Sequence, residues 1–243
     1  MSRYLFSVSA KKIIAGMFIA TLFSSAVHAE NKGGFSLGST RVIYDAGKKD
    51  ATITVVNSAP DAPFLAQSWV SEYAPDKKQP EQAPFMVTPP LYRQDQGKNV
   101  LRIMRTGGQM PADRESVYWL NVKAIPAVSK GQQGKNTLQF AYVMRVKLFY
   151  RPSGLSGAPE KASDQLSFSR TGNTLSVRNT SPYFVTFNKL SVGGKDIKEA
   201  SSLMVPPDGE QHYSLPAGAA GHQVTFRALN DFGGILPEKS VSF

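Results

Sequence analysis

The chain has 243 residues and a formal charge of +10, with 41% hydrophobic and 19% charged residues, three histidines and no cysteine. This length and balance allow one large or two ordinary globular domains and exclude an intrinsically disordered chain. The missing cysteines exclude a disulfide framework, a thiolate nucleophile and cysteine-bound metal, so stability has to come from packed cores.

The N-terminus carries Arg3, Lys11 and Lys12, then the apolar run Ile13–Phe23, then small residues ending in Val27-His28-Ala29. This is the pattern of a secretory signal peptide cleaved before Glu30. Its apolar run is too short to remain as a membrane span, and no later stretch approaches the necessary length. The mature chain is therefore expected to be exported, soluble and without stable membrane insertion. It stays basic after losing the three leader cations. A basic surplus suggests nucleic acid, but export and the scattered cations argue against that partner and favour an anionic protein or a carboxylate ligand.

Phe35–Asp45 is predicted as the first strand, ending at the turn Asp45-Ala46-Gly47. Ala51–Asn57 and Ala62–Tyr73, separated by Ser58-Ala59-Pro60-Asp61, read as strand, turn, strand. Phe85–Thr88 runs into Pro89-Pro90, which suits a strand end or corner and leaves Thr88–Pro89 open to the cis form. Asn99–Arg105 and Glu115–Ala124 alternate as strands, and Ile125–Lys135 is a loop. Asn136–Pro152 stands apart. Its even positions, Leu138, Phe140, Tyr142, Met144, Val146 and Leu148, are apolar, while its odd positions include Gln139, Arg145, Lys147 and Arg151. As one strand it would extend roughly 50 Å at about 3.3 Å per residue, far beyond ordinary strand length. It is either an inner sandwich strand covered by its own sheet or a strand whose edge is partly open to a partner. About seven strands between Phe35 and Pro152 suit an immunoglobulin-like sandwich.

Ser153–Ser163, rich in Gly, Pro and Ser, reads as a domain boundary. The division expected is a leader at 1–29 and domains at 30–152 and 153–243. Past the boundary, Gln165–Ser169, Thr174–Asn179, Tyr183–Val192, Glu210–Leu215, His222–Leu229 and Lys239–Phe243 are predicted strands. There is no amphipathic helix of ordinary length and no internal repeat, so the fold class is all-β.

Catalytic patterns are weak. His28 leaves with the leader, and His212 and His222 have no ligand cluster, so they read as exposed histidines rather than zinc or triad members. Asp113 and Glu115 could be taken for a glycosidase couple, but their spacing in a polar turn favours surface acids. Gly107-Gly108 and Gly193-Gly194 lack a phosphate-loop pattern. No catalytic residue, metal or cofactor is expected, and the chain does not read as an enzyme. Arg41, within Arg41-Val42-Ile43, and Lys147, within Val146-Lys147-Leu148, are either snorkelling surface cations or buried charges suited to an anion. If they converge, they form a carboxylate clamp.

Several ordered motifs then carry a family likeness: Thr40–Asp45, Phe64–Trp69, Thr88-Pro89-Pro90, Asp113–Ser116 followed by Tyr118–Val122 and Ile125-Pro126, Lys147–Pro152, and Asn230–Gly234. Across essentially its whole mature length the chain resembles the PapD-like periplasmic pilus chaperones. The resemblance implies two immunoglobulin-like β-sandwiches set at an angle around a cleft, and ATP-independent binding of pilus subunits for delivery to an outer-membrane usher. It implies that Arg41 and Lys147 hold the subunit's C-terminal carboxylate. It implies that Leu138, Phe140 and Tyr142 are lent to complete the subunit's sandwich, a mode of recognition for which chaperone and pilin are themselves a standard example. Glu115, Arg151 and Asp231 correspond to an interdomain charge network. Tyr142 departs from the aliphatic residue common at its position. The short loop and absent cysteines resemble the short-loop branch associated with rod-forming pili. Self-association of the free chain stays open. Two other classes remain: an exported two-sandwich adhesin or structural pilus component, which would have a missing or donated terminal strand, and, remotely, a secreted hydrolase on a β-sandwich.

Overall fold

The computed structural model describes residues 33–74, 81–127 and 138–243. The leader and Asn136 and Thr137 of the long predicted strand lie outside the described residues, as does most of the loop before it.

Alternating apolar residues build the first sandwich. One sheet is ordered β1 (Phe35–Leu37), β3 (Ala51–Asn57), β7 (Gly97–Arg105) and β5 (Phe85–Thr88), all antiparallel. The facing sheet is ordered β2 (Arg41–Asp45), β9 (Tyr142–Arg151), β8 (Ser116–Pro126), β4 (Phe64–Glu72) and β6 (Leu91–Gln94). There β2 runs parallel to β9 and the other pairs are antiparallel. Ile53, Val55, Val70, Leu101, Ile103, Leu120, Val122 and Leu148 meet in a dry core. Burying each such side chain contributes about 1.5–3 kcal/mol.

The second sandwich has one sheet of β10 (Leu166–Thr171), β11 (Thr174–Asn179) and β14 (Gly209–Ser214), and another of β13 (Lys195–Asp196), β12 (Phe187–Val192), β15 (Gln223–Ala228) and β16 (Lys239–Ser242). Its core gathers Leu175, Val177, Phe187, Leu190, Tyr213 and Phe226 separately from the first. Among the described residues the chain is all-β with two sandwiches, apart from short 3-10 helices at Pro159–Gln165 and Lys198–Ser201. Among the described residues no helix is long and apolar enough to cross a membrane.

Several predicted elements are corrected. Phe35–Asp45 is two strands in opposite sheets and Leu91–Gln94 is a further strand, so the described residues of the first sandwich form nine strands rather than about seven. The Gly38 N–H bonds to Thr54 O at 2.8 Å, and a Cβ on Gly38 would approach Thr54 Cβ to 3.1 Å, so the chain crosses between sheets where only glycine fits closely. Phe35, Val42 and Tyr44 are all buried, so one alternating pattern serves both faces of the core. The predicted boundary segment is partly helical, and the Tyr183–Val192 strand begins only at Phe187. Thr88–Pro89 is cis.

The long strand is also shorter than predicted. It pairs with β8 up to Tyr142↔Ala124, and β8 ends at Pro126, which has no N–H to offer. Leu138, Phe140 and Ala141 therefore lie outside regular strand, and only the Gln139 side chain reaches back, donating to Pro126 O.

Candidate functional site

The parallel pairing of β2 with β9 sets Arg41 directly beside Lys147. Residues two apart on a strand share a face, so the pair points away from the core that takes Val42, Val146 and Leu148. Two like charges in adjacent, half-buried positions are poorly solvated. Burial, with repulsion from Arg41 second, pulls the Lys147 ammonium down from 10.5 to about 8. Burial likewise lowers Arg41, against the opposing pull of Asp231 and Glu115. The Arg41 guanidinium lies 5.8 Å from the Phe149 ring centre, and its Nε is buried without a hydrogen-bond partner. Arg41, Phe149, Tyr183, Leu229 and Asn230 line a recess between the two sandwiches. The pair is thus a half-buried cationic site in which two like charges adjoin.

Beside it, Arg151 crosses between the sandwiches. Its Nε donates to Glu115 Oε1 at 2.7 Å, while Nη1 and Nη2 donate to the two Asp231 oxygens at 2.7 and 2.8 Å. Each acid is positioned by a loop of defined shape. Asn179 Nδ2 donates to Tyr183 O and Pro206 O, and its Oδ1 accepts from Ser181. That turn offers Pro182 O to the Glu115 N–H and the Phe184 N–H to Glu115 Oε2, at 2.9 and 2.8 Å. Asn230 Oδ1 accepts from the N–H groups of Phe232 and Gly234, fixing the loop that carries Asp231. Burial raises the Glu115 carboxyl against the pull of Arg151 and the Phe184 N–H. Burial alone would lower Arg151, but the hydrogen bond to Asp231 and the charge of Glu115 raise it overall. The arrangement joins the sandwiches by a charge-assisted, bidentate contact.

The third feature is an edge. β2 covers β9 only from Lys147 to Arg151, so among the described residues Tyr142–Val146 is paired on one side alone, by β8. Just upstream, Leu138 is 81% exposed and Phe140 72%. Tyr142 differs: its ring meets Phe64 edge-on at 6.4 Å, at the margin of the core. The five acid and base residues of the predicted clamp and network are therefore brought together within this part of the molecule. Leu138 and Phe140 instead stand free at the far end of the open edge.

Two family models divide the chain between them. One, described as the PapD N-terminal domain of pili and flagellar-assembly chaperones, matches residues 34–156; the other, the C-terminal domain of the pili assembly chaperone PapD, matches residues 161–240. The chain belongs to the PapD family of pilus assembly chaperones. Among PapD-family relatives, FimC of Escherichia coli K12 is 41% identical over 230 residues, covering 93% of this chain and 90% of FimC. The Escherichia coli chaperone FocC is 43% identical over 211 residues, 86% of this chain and 90% of FocC. The crystal structure of the Escherichia coli chaperone DraB superposes with a TM-score of 0.74 at 36% identity, covering 87% of this chain and 99% of DraB. SafB of Salmonella enterica, solved in complex with the pilin SafA, gives 0.76 at 36% identity, covering 87% and 97%. Membership in a chaperone family sets aside the adhesin reading.

Two side chains near the PapD-family site escape sequence reasoning. Phe149 sits at an odd position that alternation assigns outward, yet it is buried against Phe184 of the second sandwich, ring centres 5.9 Å apart. Glu115 is buried, so reading it as a surface acid like the exposed Asp113 is corrected. Its burial depends on the second sandwich, which a strand-by-strand reading does not include. Of the histidines, His212 is exposed beside Ser176.

Proposed function

We propose that this chaperone is exported by a leader at residues 1–29 and acts in the periplasm through domains at 30–152 and 153–243. It binds pilus subunits by lending them the edge strand that begins near Leu138. Arg41 and Lys147 take the subunit's terminal carboxylate, and Leu138, Phe140 and Tyr142 fill the subunit's incomplete core. Glu115, Arg151 and Asp231 hold the two domains in the relation that keeps the carboxylate site formed. The loaded subunit then passes to an outer-membrane usher.

The observation that carries this reading is the coincidence of two things at one point: the unpaired edge of β9 begins where two desolvated cations lie side by side. A carboxylate there relieves the like-charge repulsion and satisfies buried donors, and a charge-assisted hydrogen bond is worth about 1.5–3 kcal/mol. The exposed Leu138 and Phe140 contribute about 1.5–3 kcal/mol each when buried in a partner. Edge pairing sets the register, since a one-residue slip presents Gln139 and Ala141 instead.

The test is co-purification from periplasm with neighbouring fimbrial subunits, intact or lacking their final residues. A stable one-to-one complex lost on truncation is expected, with at least tenfold weaker binding for folded Arg41→Ala and Lys147→Ala chains. Equal binding by the variants would overturn the clamp.

A further inference from the structure

The open edge carries one more charge than the clamp uses. Arg145 lies two residues before Lys147 on β9, on the same outward face, and is exposed. Its neighbours on that face are Val143 and Lys147 along the strand and Asn121 across the ladder, with Trp119 and Lys123 on the diagonals. All are neutral or cationic, and Arg145 forms no ion pair among the described residues.

The topology constrains what lies next to it. β2 runs parallel to β9 and begins at Arg41, opposite Lys147, leaving the edge before it uncovered among the described residues. A segment that continues along the same edge toward Tyr142, with its terminal carboxylate at Arg41 and Lys147, has to end there and so also runs parallel to β9. Its side chains alternate between faces. The outward one nearest its C-terminus therefore sits beside Arg145, within the distance at which side chains on adjacent strands interact.

Resting on the carboxylate-clamp reading of this edge, we infer that Arg145 selects an acidic side chain in the bound segment, at whichever of its last two residues faces outward. The ligand class is thus a strand-forming C-terminus that carries two anionic groups: the terminal carboxylate and one Asp or Glu beside it.

The probe is a set of synthetic octapeptides of alternating Val and Thr, each with a free C-terminus and with Glu, Gln or Lys at the last or next-to-last position. Binding to the mature chain is followed by fluorescence anisotropy. The Glu peptide is expected to bind about threefold to fivefold more tightly than the Lys peptide at one of the two positions, the range of an exposed ion pair, with Gln between them. The preference shrinks in 1 M salt. In Arg145→Glu the order inverts at that position, and because the residue is exposed, the circular dichroism of the variant is unchanged. Equal affinities at both positions, with C-terminal amidation still weakening binding, overturn the Arg145 inference and leave the clamp standing. If amidation has no effect, or no peptide binds, both fall.

Discussion

Replacing Arg151 by alanine isolates the energetics that join the two sandwiches. The Arg151 side chain is 18% exposed and that of Glu115 only 2%, with 2.7 Å between them. Without Arg151, the Glu115 carboxylate keeps the Phe184 N–H as its one side-chain hydrogen bond among the described residues. Stripping a buried charge of its partner destabilises by about 3–5 kcal/mol. Asp231, 32% exposed, regains water and adds little. Burial raises the Glu115 carboxyl even with Arg151 present, so in the variant it rises further. A group whose folded pKa exceeds its unfolded value binds more protons in the native state, and stability falls as pH rises between the two values. The deficit of the variant is therefore fullest where the Glu115 carboxyl is ionised in the folded chain and shrinks as pH falls toward the unfolded carboxyl value of about 4.3. Trp69 and Trp119, the two tryptophans of the chain, both lie in the first sandwich, so urea unfolding followed by their emission reports that domain. A loss below about 1 kcal/mol at neutral pH, or a deficit that grows in acid, refutes the reasoning. Glu115→Gln combined with Arg151→Met removes both charges of the buried pair and is expected to recover at least half of the loss.

The Lys147 ammonium, lowered from 10.5 to about 8 in the folded chain, gives a linkage of the opposite sign: its burdened charged form weakens the fold below about pH 8, and stability returns as pH rises toward the unfolded value. Lys147→Met is expected to stabilise the free chain near neutral pH by about 1–3 kcal/mol, read by urea unfolding, while abolishing the weakening of peptide binding expected on C-terminal amidation. Affinity of the wild type for a free-carboxylate peptide falls above about pH 8, and a flat titration through that range contradicts the lowered ammonium. Gly233 has φ +81°, and a Cβ there would come within 2.3 Å of Thr40 Oγ1. Gly233→Ala is therefore expected to lose about 1–3 kcal/mol in thermal or urea unfolding, partly recovered by adding Thr40→Ala. Leu138→Asp and Phe140→Asp are expected to leave unfolding within about 0.5 kcal/mol of wild type, as for exposed positions generally, yet to abolish the subunit complex on gel filtration.

Much of the fold is legible because strand alternation is a local property that burial enforces. From Met144 to Tyr150 the even positions of β9 enter the core as the pattern predicts. Where the pattern misleads, a distant neighbour intervenes. Phe35–Asp45 reads as one strand because both halves feed the same core, although from opposite sheets. Phe149 and Glu115 are buried by the turn at Pro182–Phe184, which packs on them from the other domain. The network of Glu115, Arg151 and Asp231 came from motif likeness, since residues 36 and 80 positions apart leave no periodic trace. The end of the strand at Tyr142 was illegible for another reason. Leu138 and Phe140 continue the alternation faithfully, but an apolar face signals only that something will cover it.

That last mismatch separates folding from function in this molecule. A sequence that serves only its own fold places its apolar residues in its core and its charges in water or in pairs. Leu138 and Phe140 break the first rule, and Arg41 and Lys147 break the second, while the neighbouring Arg151 obeys it with two carboxylates. These breaches lie at or next to one strand edge, two exposing apolar surface and two confining like charge. On the proposed function, each is relieved by the same partner, a chain that brings a groove for the side chains and a carboxylate for the cations. The free chaperone is thereby left less stable than its scaffold allows, and part of the free energy of binding is the removal of that burden. Stabilising the free chain at Lys147 while losing carboxylate discrimination is the joint outcome this view requires.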